Sequence, residues 1–465
     1  MKRIWAIAML TLKAAYRFRL VRLLEVLLLG SVVVLPMIIK DDGTARGFTQ
    51  ILLTYTLGVI TVLLGFSTLW LACGTLAGDI EECQMQMVAV KPIARWQIWL
   101  GKWLGIMLMN TLLLALAGGA VFALLQWRAR KLPAEQLTVL RNEVLVARGS
   151  AREPQPDWEP IVEKIYQQRL KESSVPAVDR PLLRRQIAER AKAELQLVPA
   201  SFLRRWEIPL GAARHGLRDQ PLYVRTKFQA AKKQPGSSFD APKTYRALWQ
   251  IGPPGTAQVV RQEMSTPAES FSEFEIPPNL FDERGILTLE FWNANEETLL
   301  FPLEDGMEVL YREGSFGLNY CRGLFIILCW LALLTALGLA AASFLSFPVA
   351  SFLALGVLIV GLSSGTLSQI IEQGGIVGIN QNTGQVDNPT VIDRATLPLF
   401  QGLLRLINLV QGFSPIDALS TGRSVTWEQT GLALAQIVLL LGGLFAAVGI
   451  TLFTRRELAT AQGTQ

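Results

Sequence analysis

Long uncharged apolar runs along this chain are interrupted by one extended polar interval, and that alternation predicts the architecture. A helix needs about twenty mostly apolar residues to cross the hydrocarbon core of a bilayer, and about six runs approach that length. The first covers residues 21–39, with Arg22 and Glu25 near one end. Residues 51–78 and 103–127 contain no charge. Residues 324–347 and 349–371 form a pair joined by the tight turn "SFLSFP", and residues 432–453 close the series. Helices that are oily all round cannot all hide in one soluble core. The pattern therefore predicts a polytopic α-helical membrane protein with about six transmembrane helices.

The polar interval, residues 128–320, lies between the third and fourth spans and reads as an α+β insert. In its helical part, residues 132–198, Leu and Ile recur at three- and four-residue spacing among alternating charges, as on a solvated amphipathic helix. From Pro221 the period becomes two. "LYVRTKF" sets Leu222, Val224, Thr226 and Phe228 against Tyr223, Arg225 and Lys227. "YRALWQIG", "SFSEFEIP" and "ILTLEFWN" repeat the idea between the turns "PPG", "PPN" and "DERG". Short alternating strands of this kind predict a β-sandwich over residues 201–318, with Trp249, Phe291 and Trp292 in its core.

Composition agrees. Of 465 residues 51% are hydrophobic and only 18% charged, against about a quarter charged in an ordinary soluble chain; mean hydropathy is +0.33. The opening "MKRIWAIAMLTLKAAYRFRL" interleaves Trp5, Leu12, Tyr16 and Phe18 with Lys2, Arg3, Lys13 and Arg17. This reads as an interfacial helix rather than a secretory leader, whose apolar stretch would not carry such charges. Basic flanks set orientation. Lys2, Arg3, Lys13, Arg17, Arg19 and Arg22 predict a cytoplasmic N-terminus. Parity then places residues 128–320 and the loop 372–430 outside, and the C-terminus, with Arg455 and Arg456, inside. Within that loop, residues 396–419 read as a helix at the outer surface. Leu399, Leu403, Leu406, Ile407 and Val410 share one face, Arg405 and Asn408 interrupt the run, and Pro398 and Pro415 bracket it. Three regions result: 1–127, with a cytoplasmic coupling segment at 79–101; 128–320; and 321–465.

Catalytic groups are scarce. His215 is the one histidine, so no histidine-based triad is expected. Cys73, Cys83, Cys321 and Cys329 form no CxxC pair or Cys/His cluster, so no metal is expected. The acid pairs Glu273/Glu275 and Glu296/Glu297 read as solvated surface. A phosphate loop is missing too: Trp96 stands where the first glycine before "GK" would be. The chain is expected to hold no cofactor of its own and to bind no nucleic acid.

One stretch between the second and third spans is neither oily nor loop-like: "GTLAGDIEECQMQMVAVKPIARWQIWLGKWLG", residues 74–105. Small residues and the acids Asp79, Glu81 and Glu82 end a span. A short helical patch follows, then Lys91, Pro92, Arg95 and Trp96, then Gly101 and Lys102 at the head of the next span. This resembles the signature of the permease subunits of type-2 ABC transporters, the largely exporting class; "SFLSFPVA" and "LFTRRELA" resemble the family's tight turn and closing basic stretch. The resemblance implies a non-catalytic permease subunit of a bacterial plasma (inner) membrane, driven by ATP that a partner hydrolyses: it implies two copies of a separate ATPase that bind ATP and Mg, and a second permease subunit, identical or not. It assigns ATPase coupling to Asp79, Glu81, Glu82, Lys91, Pro92, Arg95 and Trp96, with Trp96 and Trp99 anchored at the lipid interface. Two other readings stand beside it. One is a mechanical, assembly or motility complex acting on an extracytoplasmic partner through the insert. The other is a membrane-anchored extracytoplasmic enzyme.

Overall fold

The apolar runs fold as helices and the period-two segments as strands in the computed structural model of the chain. It describes residues 2–17, 19–38, 44–82, 93–154, 157–172, 180–230, 244–256, 258–303, 305–362, 368, 370–371 and 391–456. In chain order the helices α1 (Lys2–Arg17), α2 (Arg19–Ile38), α3 (Ala45–Glu81), α4 (Arg95–Ala129) and α5 (Ala134–Glu143) lead to strand β1 (Val146–Ala151). Helices α6 (Glu159–Glu172) and α7 (Arg180–Gln196) precede β2 (Leu197–Val198), β3 (Leu203–Pro209), β4 (Leu222–Thr226) and β5 (Gln229–Ala230). Then come β6 (Thr244–Ile251), β7 (Val260–Pro267), β8 (Ser272–Ile276), β9 (Ile286–Asn293), β10 (Leu299–Leu300) and β11 (Met307–Ser315). The chain returns to helix in α8 (Phe316–Ala342), α9 (Phe347–Leu362), α10 (Val391–Gln411), α11 (Pro415–Ser420) and α12 (Trp427–Ala433). A π-helical stretch, Leu434–Gly442, carries α12 into α13 (Gly443–Arg455).

Two compact units result, Met1–Ala147 with Gly314–Gln465, and Arg148–Glu313. In the first, four helices are long and apolar enough to cross a membrane: Gly47–Glu81, Arg95–Ala129, Phe316–Ala342 and Trp427–Arg455. Two further apolar helical stretches, Val26–Leu35 and Phe347–Gly361, are shorter. Tyr55, Val62 and Phe66 on α3, Leu112 and Leu116 on α4, and Leu439, Leu440 and Leu444 on the last helix all face outward. So much outward apolar surface is what lipid, not water, accommodates. This is the make-up of a membrane protein.

Small residues bring these helices together, as is usual where lipid supplies no hydrophobic drive between helices. A Cβ on Gly101 would meet Ile7 at 2.7 Å, and one on Gly105 would meet the Ala8 carbonyl at 2.6 Å, so α1 lies directly against α4. Gly338 of α8 meets Ala72 of α3 in the same way, and Gly449 of α13 meets Ala340 of α8. The predicted lead-in helix is therefore packed on a long helix along the stripe Ala8, Thr11 and Ala15. Helix α8 starts at Phe316, well before the apolar run. Asn319 and Arg322 are buried there, and their bonds go to the segment before α12: Asn319 Nδ2 donates to Arg423 O (2.8 Å), Val425 N donates to Asn319 Oδ1 (2.7 Å) and Arg322 donates to Val425 O.

In the second unit the sheets run β1-β11-β4-β8, β2-β10-β5 and β3-β9-β6-β7. Val224 and Val309, Leu299, and Trp206, Trp249 and Phe291, drawn from all three, share one hydrophobic cluster with Phe228 and Phe301. Strand β6 buries Tyr245, Ala247, Trp249 and Ile251 in alternation, as its sequence predicts. Three expectations need correction. Residues 132–198 are not all helical, because "VARGSA" pairs into a sheet as β1. Trp292 is 53% exposed and not core, since it lies on the face of β9 opposite Phe291. Glu273 is no surface acid: it is buried in an ion pair with Arg148.

The close helix contacts make a stability prediction. Gly105→Ala should lower the thermal stability of the purified protein by about 1–3 kcal/mol through overpacking. Gly119→Ala, on the same helix with no atom within 4 Å of the added carbon, should be neutral or mildly stabilising. Equal tolerance of both would contradict the α1–α4 packing.

Candidate functional site

Several of the residues singled out between the second and third spans, Asp79, Glu81 and Arg95, link helices at one end of the helical unit. Arg95 is the first residue of α4. A cation there opposes the positive end of its own helix dipole, so another interaction must hold it. Its Nη1 donates to the carbonyls of Phe453 (2.6 Å), Thr454 (2.9 Å) and Arg456 (2.7 Å) at the end of α13. The guanidinium also lies 5.8 Å from the Phe453 ring centroid. The last carbonyls of a helix have no partner within the helix and form its negative end. One arginine satisfies several of them and places its charge where the dipole favours it.

Glu81, the last residue of α3, does the complementary job. Its Oε1 accepts from the backbone N–H of Phe347 at 2.9 Å, at the positive end of α9. Arg456 Nη1 reaches the carbonyl of Ser343 at 3.4 Å, in the turn that precedes α9. Acid and base are thus each used at the helix end whose dipole they suit.

A third link joins α3 to α4. Lys102 is 6% exposed, and its Nζ donates to Asp79 Oδ2 (2.5 Å) and to Thr75 O (2.8 Å). Removing an ammonium from water costs several kcal/mol unless a counter-charge and acceptors replace the solvent. The carboxylate and the carbonyl are those replacements. Gly101, one residue before, and Gly105 admit α1 against the same turns of α4.

The outcome for the expected coupling residues is mixed. Asp79 and Arg95, both half-buried, and Glu81, which is exposed, tie α3, α4, α9 and α13 together. Glu82 caps α3 through its backbone N–H, bonded to Gly78 O and Ile80 O, and its side chain is exposed. Trp96 is 45% exposed. Lys91 and Pro92 lie outside the described residues, as does Cys83. Trp99 corrects the expectation of an interfacial anchor: it is 1% exposed, with Gly449 against its Nε1. Thr75, Phe453 and the Ser343 carbonyl were not foreseen as parts of this site. Backbone acceptors leave no mark in a sequence; the repeated basic pair Arg455–Arg456 and the "SFLSFP" turn were the available signals.

Elsewhere, a recess of about 20 Å³ in the second unit is lined by Arg152, Glu153, Arg204, Trp206 and Phe301. Burial pushes the Glu153 carboxyl up and the Arg204 guanidinium down from their usual ranges. Its volume suits one water. No group of three or more metal-ligating side chains occurs among the described residues. Compared with family models, curated proteins and solved structures, the chain matches none.

The Lys102–Asp79 pair carries an asymmetric prediction. Asp79→Ala leaves a buried ammonium without its counter-charge and should cost about 3 kcal/mol. Lys102→Met leaves a carboxylate that still reaches water, its side chain being 36% exposed, and should cost clearly less. Thermal unfolding of both variants in detergent checks the order; the reverse order would mean that burial of Lys102 is not what the pair compensates.

Proposed function

We propose that this chain is the membrane-spanning permease subunit of an ATP-driven transporter of the type-2 ABC kind, working in export across the plasma membrane. The observation that carries the reading is the convergence of Asp79, Glu81, Arg95 and Lys102 on the ends of several helices. A chain with no phosphate loop must receive work from a separate ATPase. A force applied beside the α3–α4 connection would be felt at once by α9 and α13, because side-chain bonds join their ends to it. Such a linked set can shift between two arrangements as a body.

On this reading α3, α4, α8 and the α12–α13 helix cross the bilayer, and α2 and α9 make up about six spans. The Arg95 end faces the cytoplasm, and Arg148–Glu313 belongs to an extracytoplasmic β-sandwich domain. Helix α10, with Pro398 inside it and Leu399 and Leu406 exposed, lies at the outer surface. Two permease subunits and two ATPase subunits form the working complex, and ATP and Mg bind to the ATPases. Glu82 and Trp96, exposed at the linked end, are the side chains that present themselves to such a partner.

A second reading is favoured by one observation. Leu203 and Trp292 sit opposite each other on paired strands, both 53% exposed, beside the 62% exposed Phe202. An outward apolar row of this kind suits an extracytoplasmic protein partner, as a mechanical or assembly complex would require.

Co-expression with a candidate ABC ATPase subunit from the same organism tests the first reading. Trp96→Ala should reduce ATPase co-purification about tenfold or more, as loss of an exposed aromatic anchor does at an interface, with thermal stability unchanged. Arg95→Ala should instead lower stability. Full co-purification and ATPase stimulation with Trp96→Ala would overturn the assignment of this end to the ATPase.

A further inference from the structure

Helix α1 contains Lys2, Arg3, Lys13 and Arg17 and no acid. Its buried stripe, Ala8, Thr11 and Ala15, is the one pressed onto α4 at Gly105 and its surroundings. With about 100° per residue, Lys2, Lys13 and Arg17 cluster on the opposite side. Trp5 and Tyr16 flank this cluster on one edge and Leu10 on the other. All six are exposed, the three apolar ones by 54%, 59% and 67%. A merely solvated face would have no use for an exposed tryptophan, tyrosine and leucine beside its charges.

We propose that this outward face of α1 is a binding surface for anionic lipid headgroups. Three cations with no acid on the helix supply charge complementarity to phosphate, and Trp5 and Tyr16 supply amphipathic rings of the kind that settle at headgroup level. The surface lies where headgroups are available, because α1 is packed along the first turns of α4, a helix long enough to cross the bilayer. Those turns also carry Arg95 and Lys102. Headgroups held by α1 therefore brace the linked helix ends, and a change in lipid charge reaches them through the Gly101 and Gly105 contacts. The proposal does not require the chain to be a permease.

The test uses the full chain in nanodiscs of equal phosphatidylglycerol and phosphatidylcholine, followed by native mass spectrometry of the lipids retained after detergent extraction. The wild-type protein should retain phosphatidylglycerol in several-fold excess. The triple variant Lys2→Gln, Lys13→Gln, Arg17→Gln should bring the ratio to that of the input, each lost cation weakening binding by about fivefold at most. A control, Arg128→Gln with Lys131→Gln at the far end of α4, should keep the excess. Retention of the excess by the triple variant overturns the proposal, as does its equal loss in the control. If the triple variant does not insert, the wild-type protein decides. Its excess should collapse in 1 M salt, where the Debye length is about 3 Å, and an excess that survives such salt contradicts charge-led binding.

Discussion

The last carbonyls of a helix have no donors within the helix and must find them elsewhere. At the end of α13 Arg95 supplies those donors, from a position unfavourable to its own helix. Much of the helical unit can be understood from that one constraint. The arginine fixes where α4 begins relative to where α13 stops. Glu81 fixes the end of α3 relative to the start of α9, and Lys102 locks α3 to α4 between them. Glycines then let α1, α8 and α13 approach closely enough for these short bonds to form.

The opposite part of the same unit uses a similar device with different residues. Asn319 and Arg322, near the start of α8, bind the backbone at Arg423 and Val425, and Arg322 lies 5.1 Å from the ring centroid of Trp427. Thr426 and Gln429 form a capping box that starts α12. The last long helix is thus held before its first turn and after its last. Between them lies the π-helical stretch Leu434–Gly442, in which the hydrogen-bond pattern departs from that of an ordinary helix.

Length and the absence of charge made the long helices legible, because lipid imposes a simple rule on both. The β segments were legible where one face is buried, as in β6, and misleading in β9, whose residues are buried on nearly every position except Trp292. Helix limits were harder. The start of α8 at Phe316 could not be read from the apolar run, because the buried bonds that hold Asn319 and Arg322 run to backbone far along the chain. Trp99 looked interfacial beside Trp96, yet the glycine that makes room for it, Gly449, is distant in sequence. Asp79, Glu81 and Arg95 stood out as residue types in a pattern; their partners, mostly backbone atoms of α9 and α13, did not.

The linkage of helix ends through Arg95 is tested most directly by hydrogen exchange of the full chain in nanodiscs, wild type against Arg95→Gln. Loss of charge-assisted bonds worth about 1.5–3 kcal/mol should speed exchange in the last turn of α13, residues 452–456, by roughly tenfold or more. The start of α12 should be unaffected. Unchanged protection at residues 452–456 would contradict the account.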